Sequence, residues 1–184
     1  MRTLFRAFKT LTPILVLFLL CLSFGCQKQE TAVADEYRAI AQRVVDEAWN
    51  QGKFDVLDEQ FAADFVYHQS PQPDVVGLEA YKQFINGNRA AFPDLKLTIT
   101  EIIIEGDKAV VRGTFTGTNT GDLTSWGIPA TGKTVNFNWC TVSHRLNGKT
   151  IEQWNYVDFL GMMQQLGFTL APPQPQETPE QEIE

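Results

Sequence analysis

The apolar positions of this chain change period once, near Leu95, and that change separates a helical first part from a stranded second part. Tyr37, Ile40, Ala41, Val44, Val45 and Ala48 recur at three- and four-residue steps, which places them on one face of a helix capped at Asp35 and stopped at Gly52. A short second helix near Phe54 to Phe61 offers Phe54, Leu57 and Phe61 to the same core. Phe65-Val66-Tyr67-His68 reads as a short strand, stopped by Pro71 and Pro73, which cannot donate to a ladder. Gly77 opens a third helix with Tyr81, Phe84, Ile85 and Phe92 on one side, and Pro93 ends it.

Beyond Leu95 the apolar residues alternate. Strands are expected over about Lys96 to Glu105, Lys108 to Thr118, Thr134 to Leu146 and Lys149 to Val157, with Gly106-Asp107 and Asn147-Gly148 as turns. A short helix follows around Phe159 to Met162. Helices first and an antiparallel meander afterwards predict an α+β domain, in which three N-terminal helices and a short C-terminal helix pack on one curved antiparallel sheet. A curved sheet closed in this way encloses a cone-shaped, barrel-like cavity suited to a small apolar ligand.

Both ends of the 184-residue chain differ in composition from this core. Arg2, Arg6 and Lys9 precede the apolar run Leu11 to Leu22, which is shorter than the ~20 residues of a membrane span and reads as a secretory signal. Leu22-Ser23-Phe24-Gly25-Cys26 resembles a bacterial lipoprotein signal, in which the first mature residue is a lipid-bearing Cys; Ser23 and Phe24 depart from that pattern. The expectation is a signal over residues 1–25, lipidation of Cys26 and a location on the bacterial cell envelope, with plain secretion or an uncleaved anchor as the alternative. Residues 26–34 read as a linker, 35–170 as the domain, and 171–184 as a disordered tail rich in Pro, Gln and Glu. Loss of three positive charges with residues 1–25 takes the formal net from −7 to −10, which argues against nucleic acid as a partner.

With Cys21 and Cys26 assigned to export, Cys140 is a lone thiol on a strand and reads as packing. His68 and His144 are far apart in sequence, so no cluster has metal-ligand spacing. No serine sits in a nucleophile elbow.

Several motifs carry a resemblance. Trp49-Asn50-Gln51-Gly52-Lys53-Phe54-Asp55, Gly77-Leu78-Glu79, Phe92-Pro93-Asp94, Gly117-Thr118-Asn119-Thr120-Gly121, Gly127-Ile128-Pro129-Ala130-Thr131-Gly132 and Gly148-Lys149 resemble SnoaL-like proteins, also called ester cyclases. Asp158-Phe159-Leu160-Gly161 with Gln165-Leu166-Gly167 is the most specific of them. The resemblance implies the cone-shaped fold shared with ketosteroid isomerase and nuclear transport factor 2-like domains. It also implies cofactor-free, metal-free aldol cyclisation by a carboxylate base in a partly apolar pocket. Dimerisation is common in the family, so a homodimer is expected from the resemblance alone.

The same resemblance places the cyclases' catalytic Asp at Asn155, their strand histidine and glutamine at Thr141 and Trp139, a further histidine at Gln153 and the loop histidine at Asn119. An amide cannot take up a proton near neutral pH, although it can hydrogen-bond a carbonyl or enolate oxygen. A three-residue hairpin loop with a bulge sets Asn155 opposite Trp139 and Gln153 opposite Thr141, whereas a two-residue Asn-Gly turn sets Trp139 opposite Tyr156; the resemblance favours the first. Trp139, Thr141, Gln153, Asn155, Asn119 and Tyr67 are therefore the expected pocket residues. Asp158 and His68 are the candidate replacement bases, with helix capping and a solvated loop as their plainer roles. Two readings follow: a proton-transfer or cyclisation enzyme for a small carbonyl-bearing or polycyclic molecule, or a binding module that lost its base. A third, epoxide hydrolysis of the limonene type, needs Asp–Arg–Asp around Arg112 or Arg145.

Overall fold

The computed structural model describes residues 34–70 and 72–169. The signal-like segment, Cys26 and the acidic tail lie outside the described residues. The helical half contains α1 (34–51), α2 (Asp55–Gln60) and α3 (Leu78–Ala91). The strands are β1 (Phe61–Gln69), β2 (Val75–Val76), β3 (Lys96–Glu105), β4 (Lys108–Thr118), β5 (Thr134–Leu146) and β6 (Lys149–Val157). A 3-10 turn, Thr124–Trp126, lies between β4 and β5, and α4 (Phe159–Leu166) closes the described chain.

The six strands form one sheet in the order β2-β1-β6-β5-β4-β3. It is curved and unclosed, and the helices cover its concave side. The expected antiparallel sheet needs one correction, because β1 pairs parallel to β6. That pairing joins the first strand to the last across the whole chain, which local periodicity cannot reveal. Register shifts in β1, β3 and β6 add unpaired residues, and such bulges bend a sheet.

α1 carries a π-helical stretch, Val44–Trp49, ending with the Asn50 N–H on the Val45 carbonyl. Beside Ile40 and Ala41 of the preceding regular turn, Val44, Val45 and Trp49 of this stretch face the inner side. Just beyond it, the Asn50 side chain donates to Leu97 O at 3.0 Å and accepts from Leu97 N at 2.8 Å, which ties α1 to the edge strand β3. Two groups of buried residues fill the interior. One is centred on Phe61, Phe65, Tyr67, Tyr81 and Ile85, the other on Phe92, Phe115, Phe137, Trp139 and Met162. Each such side chain contributes about 1.5–3 kcal/mol on burial.

The β5–β6 hairpin corrects the expected register. Leu146 pairs with Lys149 across a two-residue turn, with Asn147 at φ 51° and Gly148 at φ 78°. A bulge at Ile151 then slips the ladder by one, so His144 faces Glu152, Ser143 faces Gln153, Thr141 faces Asn155 and Trp139 faces Val157. The turn is the two-residue form, but the bulge restores the parity that the longer loop was expected to supply. Inward-facing residues are therefore those expected, displaced by two along the partner strand.

Candidate functional site

Between the sheet and the helices lies a cavity of about 120 Å³. One water needs only ~10–15 Å³ on the same measure, so the space suits a small organic molecule. Alternation on β5 directs Phe137, Trp139, Thr141 and Ser143 inward, and β6 adds Gln153, Asn155 and Val157. β1 contributes Tyr67 and Gln69, α1 contributes Tyr37, Val44 and Trp49, and α3 contributes Tyr81 and Phe84.

The polar strip of this cavity consists of amides, hydroxyls and an indole. Tyr81 Oη donates to Gln153 Oε1 at 3.4 Å, and Gln153 Nε2 donates to Ser143 Oγ at 3.1 Å. Trp139 Nε1 and Tyr37 Oη are buried with no hydrogen-bond partner. Such orphans cost ~1–3 kcal/mol each, which a ligand with a suitably placed acceptor removes. Burial pushes the Tyr67 and Tyr81 phenols far up and Tyr37 up to about 12, so all three remain neutral donors near neutral pH. Among the described residues, no Asp, Glu, His, Lys, Arg or Cys lines the cavity.

Five of the six expected pocket residues, Trp139, Thr141, Gln153, Asn155 and Tyr67, line the cavity. Asn119 does not. It is fully buried beside the sheet, where its Oδ1 accepts from Thr131 N at 2.9 Å and Thr131 Oγ1 at 3.0 Å, and its Nδ2 donates to Gly121 O at 2.7 Å. Its backbone exchanges bonds with Lys133 O and Gly132 N, so one residue zips both ends of the 119–133 loop. That loop carries Leu123 and Trp126 to the cavity, and Trp126 stacks on Phe159 of α4 at 4.5 Å. Asn119→Ala is expected to cost about 1–3 kcal/mol, because it leaves half-buried groups of Thr131 and Gly121 without their partner. A urea midpoint within error of wild type would contradict this role.

His68 and Asp158 are likewise placed away from the cavity. Tyr67 points inward, so its neighbour His68 points outward, where it stacks on Trp154 at 5.0 Å. Its Nδ1 lies 2.9 Å from Asp74 and its Nε2 lies 2.9 Å from Glu152. Burial lowers the His68 pKa, but the two carboxylates outweigh it and the net shift is upward from 6.5. A raised histidine contributes stability that is fully present below the unfolded value and is lost as pH rises through the folded one. The urea-midpoint gap between wild type and His68→Gln should therefore be wider at pH 5.5 than at pH 8.5; an unchanged gap would remove the ion-pair account. Asp158 caps α4, accepting from Gly161 N at 2.9 Å.

The remaining candidates are also accounted for. Cys140 and Arg112 face each other on the outer side of the sheet, and Arg112 pairs with Glu101 at 2.5 Å. Burial raises the Cys140 thiol, which opposes nucleophilic use. Neither Arg112 nor Arg145 lines the cavity, so the epoxide-hydrolase arrangement is not assembled there. Ser143, Gln69, Tyr37, Tyr81 and Trp49 are polar lining residues that sequence reasoning missed. Ser143 was accessible by parity from Trp139 and Thr141, whereas Gln69 required the β1–β6 pairing.

An open curved sheet wrapped around one such cavity is the ketosteroid isomerase-like fold. It is seen in a protein from Catenulispora acidiphila at 18% identity and TM-score 0.59, covering 72% of this chain and 97% of that one. The chain belongs to the SnoaL-like polyketide cyclase family, whose model matches residues 39–166. A protein assigned as a SnoaL-like polyketide cyclase from a Jannaschia species is similar at 28% identity and TM-score 0.65, covering 73% of this chain and 92% of that one. TsrD from Streptomyces laurentii is similar at 29% identity and TM-score 0.62, with 71% and 96% covered. No curated protein matches the chain.

Proposed function

We propose that this domain keeps the cyclase cavity as a binding site for a small, largely apolar, carbonyl-bearing molecule and does not transform it. The observation that carries this reading is the lining itself: among the described residues it offers donors and aromatic walls but no group that takes up a proton near neutral pH. Asn155 stands where the family resemblance implies the base. Cofactor-free cyclisation is the second reading. Family membership favours it, and it needs His68 or Asp158 to leave their partners and reach the cavity.

The test pairs native mass spectrometry of the full mature chain with deuterium exchange of added 2-tetralone. Retention of the ketone without exchange above the buffer rate is expected. Exchange that disappears in Asp158→Asn or His68→Ala would establish the enzyme reading instead. Attachment to the bacterial envelope through lipid on Cys26 belongs to the same proposal and is supported by the basic and apolar pattern of residues 1–25. Membrane fractionation unchanged in Cys26→Ser would sink it.

A further inference from the structure

Tyr37 and Ile40 line the cavity on one side and a second hollow, of about 310 Å³, on the other. This hollow lies between α1 and two hairpin turns, Gly106-Asp107 and Asn147-Gly148, and is completed by Glu36 and Arg145. Two polar atoms of its lining residues, Tyr37 Oη and Arg145 Nη1, are buried without a hydrogen-bond partner. Tyr37 is 7% exposed, and the Arg145 guanidinium carbon lies 5.0 Å from the centre of its ring.

The other contacts of Arg145 are with neutral groups. Nη2 donates to Gln60 Oε1 at 3.1 Å and to the Gly148 carbonyl, and the backbone N–H donates to Asp107 O at 2.8 Å. Among the described residues no carboxylate pairs with it, although two line the same hollow. The Asp107 carboxylate is engaged by His144 Nε2 at 2.8 Å, which holds it below the usual carboxylate range, and Glu36 is exposed. A guanidinium is a permanent cation whose fork matches a planar carboxylate, and an aromatic face attracts it without accepting an in-line hydrogen bond. The missing partner is therefore an acceptor, and the guanidinium's charge favours an anionic one. The two resident carboxylates repel a dianion such as a phosphate monoester more than a monoacid.

We infer that the hollow is a head-group subsite: the cavity's ligand is an elongated monocarboxylic acid whose carboxylate meets Arg145 Nη1. Tyr37, the shared wall, turns aside to join the two spaces and donates its hydroxyl to the same head group. This rests on the reading of the main cavity as a ligand site and adds the chemical class of the ligand.

Titration calorimetry on the full mature chain with 2-naphthylacetic acid, its methyl ester and 2-(2-naphthyl)ethylamine tests it. The acid is expected to bind about tenfold or more tighter than the ester, with the amine weakest, since one charge-assisted contact is worth at least that factor. In Arg145→Gln the acid-to-ester ratio should fall to about one, while Arg145→Lys retains part of it. Equal binding of acid and ester by wild type, a comparison that needs no variant to fold, overturns the subsite and leaves the cavity reading standing. So does an acid preference that survives in Arg145→Gln. Failure of all three compounds to bind overturns both readings.

Discussion

Gly113→Ala is expected to lower the unfolding free energy by about 3 kcal/mol or more, at the upper end of the cost of overpacking a well-filled core. Gly113 is buried on β4, opposite Ile99 of β3 and Trp139 of β5. An added Cβ would collide with the Thr98 carbonyl oxygen and come within 2.9 Å of Trp139 Cζ2. The first obstacle is ladder backbone and cannot rotate away. The second is the indole that lines the cavity with its N–H unpartnered, so ligand affinity should fall along with stability. Gly87 supplies the contrast. It lies exposed within α3, and a methyl added there meets nothing within 4 Å, so Gly87→Ala should stabilise by about 0.5–1 kcal/mol through helix propensity. Urea denaturation of both variants measures the pair. A loss below about 1 kcal/mol at Gly113 would mean that the edge strand β3 yields outward.

The long strands were legible in the sequence because each carries its own alternation, and turn chemistry at Gly106-Asp107 and Asn147-Gly148 marks where they reverse. What alternation could not show is pairing between distant segments. β1 extends from Phe61 to Gln69, well beyond the four residues whose pattern announced it, because β6 lies alongside in parallel. The parallel ladder also carries Gln69 to Asn155, a neighbour no local signal predicts.

The candidate site was legible by parity and obscured by two local devices. Parity placed Trp139, Thr141, Gln153 and Asn155 on one face despite the wrong hairpin register, because a one-residue bulge compensated for a shorter turn. Parity also bore on His68: with Tyr67 inward, its neighbour on a regular strand points outward. Asn119 was obscured for another reason. The loop motif around it gives chemistry without direction, and only the Thr131 and Gly121 contacts show that its amide holds the loop instead of a ligand.

Asn155→Asp is expected to give the cavity, proposed above as a binding site, a group that abstracts protons. Asn155 faces Thr141 across β5 and Gln69 across β1, and among the described residues no cation lines the cavity to stabilise a carboxylate there. Desolvation would therefore raise the new Asp above the usual carboxylate range, which is the condition a general base for carbon acids requires. The unpartnered Tyr37 hydroxyl and Trp139 N–H supply neutral donors for an enolate oxygen. Deuterium uptake by bound 2-tetralone should rise by about 10²- to 10⁴-fold over wild type. A raised acid also carries a linkage cost of fixed sign: the unfolded chain releases its proton first, so the variant loses stability as pH rises from the unfolded value toward the folded one. The variant should match wild type near pH 3.5 and fall behind it at pH 7. Exchange without the pH-dependent loss would mean a wet carboxylate near the mouth. The loss without exchange would mean that the base is present but the ketone does not present its α-carbon to β6, and the orientation of the ligand would then be set by the Arg145 end.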